Sequence, residues 1–462
     1  MAALSALIPI LLAIVLLLLK QSSWIAALAG AVAAGIVLAV FYPTPASALV
    51  EAGADYFPLI LEVALILLFG MTLARLLEAA GSMTEISTWV ESLAPSRSFG
   101  VALVVFGIVP FAESVTGFGI GVTIGVPVLR HLGCSLRQSA ILGLLGLIAV
   151  PWGALGPGTT VAAALANLDV DELGLATAWL NAIPVVIVTI SVLLIMRPGL
   201  VSALGVIASA GLMWVGILGA SYVVGMAPAG IIGSLIVIVA LGTLFILRAR
   251  RSSLTRSLGL AVLPYATLTI GLLLARALHS AVPNLLTQIL ASPPFWLAMA
   301  CVIAAFRVPA RRSVATSASR SWLPIGAGTA AFMFMGWLMT TSGMSEAIGS
   351  LLPAGLVLLT PWLTAAGAVL TGSNTGANSM FTGTLDAVAT SSHVSSMPVI
   401  AAGNAAGSLA ALAAPPRVAM AVQMADSSAP TSANDVTWVQ GRALTVSALN
   451  ALALGLWIQF AV

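Results

Sequence analysis

The sequence predicts an all-α polytopic membrane protein built from inverted repeats, with two re-entrant hairpins, broken helices and about 11 spans besides the hairpins. Three observations predict it. Of the 462 residues, 60% are hydrophobic and only 7% charged, against about 25% charged in soluble domains. Apolar runs of the length a bilayer requires, about 20 residues, recur along the whole chain. Two glycine-interrupted polar motifs, FAESVTGFGIG (111–121) and GSNTGAN (372–378), lie inside such runs. The formal charge of +3 comes from basic residues in short loops, so it signals no nucleic-acid surface.

Residues 2–19 and 24–42 are the first two spans, joined by a loop that holds Lys20. Lys20 follows the first apolar run instead of preceding it, so that run reads as an uncleaved span. A third span, 57–77, contains Glu62 and ends at Arg75, and 81–93 reads as an amphipathic interfacial helix with Met83, Ile86, Trp89, Val90 and Leu93 on one side. The run 99–111 is short for a crossing. Together with 120–129 beyond the glycines it predicts a hairpin that returns to its own side, a backbone tolerated at depth only against protein or a polar cavity. Residues 135–150 then enter the membrane and break at PWGALGPG (151–158). An acidic loop with Asp169, Asp171 and Glu172 leads to a span at 177–196, and four connecting segments follow near 200–224, 228–247, 257–279 and 284–306. After 321–341 come an interfacial stretch at 342–352, a second interrupted run around 371–381, a segment ending at 413–417, and a last span near 437–460.

Basic residues set an orientation. With the N-terminus outside and 99–129 counted as a hairpin, Lys20, Arg75, Arg97, Arg130, Arg137, Arg197, the clusters 248–256 and 307–320, and Arg442 all fall inside. Arg276 alone falls outside, and Arg417 lies within the membrane. A full span at 99–129 would invert every later loop, so charge asymmetry supports the hairpin independently of its glycines.

The chain repeats itself at an offset of about 260 residues. GSMTE (81–85) returns as SGMSE (342–346), ESVTG (113–117) as GSNTG (372–376), and GLLG with Pro151 as GNAAG (403–407) with Pro415. An odd number of crossings separates equivalent points, so the copies run in opposite directions. Such repeats with broken helices place a binding site near the midplane of a secondary transporter. The resulting division is 1–50 accessory spans, 51–198 first repeat (hairpin 99–131, broken helix 135–158), 199–320 connecting spans, and 321–462 second repeat (hairpin 354–390, broken helix 396–425).

At each hairpin tip a half-helix begins with unpaired N–H groups and partial positive charge, which together suit an anion. Ser114, Thr116 and Gly117 serve the first tip; Ser373, Asn374, Thr375 and Asn378 serve the second. The competing reading is that the glycines allow close helix packing and the hydroxyls bond to backbone. Glu113 is the candidate for proton coupling, because an ionisable group at membrane depth marks a transport pathway. Arg417 could grip a carboxylate through its planar fork, or serve as a fixed counter-ion for Glu113 or Asp386. Cys134 and Cys301 read as small buried apolar residues, and neither a metal nor a cofactor is expected. No protease or nucleotide-binding motif is present, so the chain is not read as an enzyme.

In FAESVTGFGIGV (111–122), PWGALG (151–156), LTGSNTGANSMF (370–381) and the segment around Pro416 the sequence resembles the lactate permease family of bacterial monocarboxylate transporters. The resemblance covers most of the chain. It implies proton-coupled uptake of L-lactate, D-lactate or glycolate across a bacterial inner membrane. It also implies kinship with the ion transporter superfamily, in which such tips bind the substrate carboxylate and one domain moves as an elevator. Those roles would fall on Glu113, Ser114, Thr116, Gly117, Ser373, Asn374, Thr375 and Asn378. Arg417 departs from the uncharged polar residue expected there. The partners implied are the anion with its proton and membrane lipid, with a homodimer open as the assembly. The alternatives are a sodium- or proton-coupled dicarboxylate transporter and, from another class, a passive anion channel or a non-transporting scaffold.

Overall fold

The computed structural model describes residues 2–93, 96–117, 119–249, 255–351, 356–426 and 432–461. Phe118, Leu352, and Arg250 and Arg251 of the basic cluster 248–256 lie outside the described residues, as do the side chains of Met83, Val90 and Leu93. Among the described residues the chain is helical and has no strand. Eleven helices among the described residues are long and apolar enough to cross a membrane. Many of them turn large apolar side chains outward, for example Val223 at 83% and Leu200 at 78% exposure. Outward Leu and Val of this kind suit lipid and would be costly in water. This is an integral membrane protein.

The buried centre is formed by four segments: two helical hairpins and two broken helices. The first hairpin differs from its sequence reading in one respect. Its first arm does not stop at Phe111 but continues as helix from Arg97 to Thr116, 20 residues in all, with a π-helical stretch at Val104–Ile108. Glu113 and Ser114 remain helical because the glycines begin only at position 117. The return arm, Ile120–His131, folds back along it. A Cβ at Gly121 would lie 2.5 Å from the Val109 carbonyl oxygen, so only glycine permits this approach.

The second hairpin pairs Thr360–Thr371 with Asn374–Ser391. Its arms close at Gly376 against Thr371 and at Gly367 against Phe381.

Both broken helices lose α-geometry, the first of them from Gly146, five residues ahead of the PWGALGPG break read from the sequence. Leu136–Leu145 passes into a 3-10 stretch, Gly146–Leu155, and resumes at Pro157–Leu165. Ser396–Ala410 passes through Ala411–Ala413 and resumes at Pro415–Ala425. Proline opens each resumed helix, where its missing N–H costs nothing and its fixed φ fits the first turn.

Two details explain sequence features. The segment with Pro293 and Pro294 is two helices, Leu285–Ala291 and Pro293–Ala305, bent by 58°. Arg276, the lone basic residue on the expected outer side, donates to the carbonyl of Val224 at 2.9 Å, where the helix Leu200–Val224 ends. A cation is stabilised at that end by the helix dipole. Cys134 and Cys301 are both buried and free.

Candidate functional site

The first tip is held by its own carboxylate. Gly117 (φ 70°) and Gly119 (φ 79°) take backbone conformations that side chains disfavour, and a Cβ at Gly117 would sit 2.8 Å from that of Ala154. This turn brings the Gly119 N–H, at the start of the return arm, onto Glu113: it donates to Oε1 at 3.1 Å and Oε2 at 2.9 Å. The tip that sequence reasoning assigned to a substrate anion is therefore capped by an anion of the chain. Thr116 Oγ1 donates to the Ala112 carbonyl at 2.5 Å. Ser114 Oγ is buried without a hydrogen-bond partner, and a Cβ at Gly230 would lie 2.6 Å from it. Neither Ser114 nor Thr116 lines the central cavity, whereas Gly117 does.

The second tip has no such acid. Gly372 turns the chain in the left-handed region, and Ser373 caps the long arm by accepting from the Gly376 N–H at 3.1 Å. The N–H groups of Asn374 and Thr375 in the first turn are without an acceptor among the described residues. Both residues line the cavity together with Ser373.

Two further helix N-termini reach the same place. Gly158, in the first turn of Pro157–Leu165, packs so closely on the second tip that a Cβ there would meet Asn374 Nδ2 at 2.6 Å. Arg417 lies in the first turn of Pro415–Ala425. Four helix starts thus converge on a cavity of about 50 Å³ that Glu113 and Arg417 both line. A water needs about 10–15 Å³, so the space suits a ligand of a few heavy atoms.

Arg417 Nη1 lies 3.8 Å from Glu113 Oε1, with both side chains mostly buried. That settles its neighbour: Asp386 instead accepts from Ser396. Yet Arg417 Nη1 is buried and makes no hydrogen bond. A cation at a helix N-terminus also opposes the dipole, which favours negative charge there. An unsatisfied buried donor and an unfavourable dipole position are each costly, and one small anion would relieve both.

Asn404 holds these parts in register. Its Oδ1 accepts from Asn374 Nδ2 at 2.8 Å and from Asn378 Nδ2 at 2.9 Å, and its Nδ2 donates to Thr159 Oγ1 at 2.9 Å and Thr177 Oγ1 at 3.1 Å. Asn378 Nδ2 also donates to the Gly158 carbonyl at 3.0 Å. Asn378 is therefore a buried brace behind the tip and does not line the cavity. Asn404, Pro157 and Gly158 were not among the residues singled out from sequence. Their signals were present: a lone amide in the apolar repeat GNAAG, and a proline following the glycine of a helix break. Asn404→Leu should leave several buried polar groups unpaired, at about 1–3 kcal/mol each. A drop in melting temperature of purified protein would register this, and an unchanged one would deny the network its bracing role.

A family model described as L-lactate permease matches residues 2–257. The first hairpin and first broken helix lie within that match; the second tip and Arg417 lie beyond it. No curated protein matches the sequence. Among solved structures, the crystal structure of the Alcanivorax borkumensis YdaH transporter, described as having an unusual topology, is similar at 16% identity over 89% of this chain and 88% of that one, with a TM-score of 0.43.

Proposed function

This chain belongs to the L-lactate permease family, and from that premise we propose that it is a proton-coupled symporter for a small hydroxymonocarboxylate: L-lactate, D-lactate or glycolate. The single observation that carries this reading is the unequal pair of tips around one small cavity. Glu113 fills the first, while the second offers Asn374 and Thr375 N–H groups beside the hydrogen-bond-poor guanidinium of Arg417.

The substrate carboxylate would lie at the second tip and accept from these N–H groups and from Arg417 through charge-assisted hydrogen bonds. Asn374 Oδ1, buried without a donor, is the acceptor that a substrate hydroxyl would use. Coupling follows from competition for Arg417. With Glu113 ionised, the guanidinium is already compensated by a neighbouring charge. A proton on Glu113 removes that compensation and leaves Arg417 to the incoming carboxylate, so proton and substrate occupy the site together. Alternating access would then carry both across, with one domain moving as an elevator. The orientation proposed is N-terminus outside, in a bacterial inner membrane.

The small cavity favours a monocarboxylate over a dicarboxylate, because the Glu113 side chain already fills the first tip where a second carboxylate would lie. Proteoliposomes with acid outside should accumulate labelled lactate or glycolate, and dissipating the pH gradient should end accumulation. Uptake that follows sodium and ignores the pH gradient would replace this reading with a sodium-coupled one.

A further inference from the structure

A second, larger cavity of about 370 Å³ adjoins the site and shares Gly372, Ser373 and Arg417 with it. Ser23 and Trp24 line one wall, and Pro324, Gly328, Thr329 and Phe332 line the other. The latter wall belongs to the helix Arg311–Thr341, whose 31 residues span about 46 Å at 1.5 Å per residue. A hydrocarbon core is about 30 Å thick, so this helix extends past it. The stripe Ser313, Ser317, Ser321, Pro324, Gly328 and Phe332 repeats at three- and four-residue spacing, which keeps it on one helical face. Its first half, with Arg320, lines an open polar groove of about 520 Å³, and its second half lines the cavity beside the site. Lys20 stands two residues before Ser22, another lining residue of the inner cavity, and is exposed, as is Arg320. Among the described residues no carboxylate lines either space.

Resting on the carboxylate-transport reading, we propose that this stripe is the anion's route between the arginine-rich side and the site, with Lys20 and Arg320 as the attracting charges at its mouth. Lys20 lies two residues before the lining Ser22 and Arg320 four before the lining Pro324, and the positive charge that lines the inner end of the path is Arg417. Between them the walls carry no charge, so an anion is drawn in without being trapped on the way. Low-dielectric walls focus the field of such charges and raise local anion concentration.

The test is thiol labelling of detergent-purified, full-length Thr329→Cys, with a negatively and a positively charged methanethiosulfonate of similar size. The parent chain, whose two cysteines are buried, is the control. The anionic reagent should react at position 329, and its rate should fall roughly tenfold when Lys20→Gln and Arg320→Gln are added, while the cationic reagent should not slow. Ser23→Cys on the opposite wall is a near-isosteric second variant with the same expectation. A cysteine unreactive to both reagents at both positions, or anionic rates unmoved by neutralising the two cations, overturns the route. Neither reagent is a lactate analogue. Charge-dependent labelling alongside failed lactate uptake would thus overturn only the substrate assignment.

Discussion

Arg417→Gln should lower the kcat/KM of lactate uptake about a hundredfold, corresponding to about 3 kcal/mol for a buried charge that grips the substrate. The side chain lies between two cavities, beside Glu113 at 3.8 Å, with a buried nitrogen that makes no hydrogen bond. Glutamine keeps a donor there but loses the charge and the fork that matches a carboxylate. Lysine should rescue only in part, because a compact ammonium cannot offer paired donors. Glu113 loses its ion partner in this variant but keeps the Gly119 N–H, so the first tip should stay capped and the protein should purify as a folded species. If transport per folded molecule is unchanged in Arg417→Gln, the residue is a structural counter-ion and the proposed substrate contact is wrong.

Glu113→Gln should separate binding from coupling. The amide oxygen can still accept from Gly119, so the glycine turn is retained, but no proton can be gained or lost. Arg417 is then permanently uncompensated. The expected phenotype is lactate binding and lactate–lactate exchange that persist, with uphill accumulation driven by an acid exterior lost altogether. Accumulation that still follows the pH gradient in this variant would move the coupling proton to another group.

Much of this architecture was legible in the residues. The helix breaks were visible because glycine and proline interrupt runs that otherwise satisfy a bilayer, the first hairpin because a full crossing at 99–129 would have inverted both arginine clusters, and the second because it repeats the first. GSNTGAN and FAESVTG located the two tips. Their inequality was only half visible: the missing acid in the second tip could be read, but not what Glu113 does in the first. That depends on positive φ at Gly117 and Gly119, which folds the following N–H back onto a carboxylate six residues earlier.

The facing of Ser114 and Thr116 was not legible either. A π-helical stretch at Val104–Ile108 widens one turn and changes the angular register of everything after it. Counting at 100° per residue therefore fails just where the hydroxyls come. What Gly158 and Asn404 touch was hidden for another reason, although local signals marked both positions. Each acts through a partner more than 200 residues distant in sequence, Gly158 through Asn378 and Asn404 through Thr159 and Thr177. Neighbouring residues carry no trace of those contacts.

Proton uptake on binding tests the central claim most directly. Lactate added to purified protein in weakly buffered solution, followed with a pH indicator, should take up a proton with each anion bound, at a pH where free Glu113 is ionised beside Arg417. The same titration on Glu113→Gln should show binding with no proton uptake. Lactate binding to the unaltered protein with no proton taken up at any pH, or proton uptake that survives in Glu113→Gln, would contradict exchange of Arg417 between Glu113 and the substrate carboxylate.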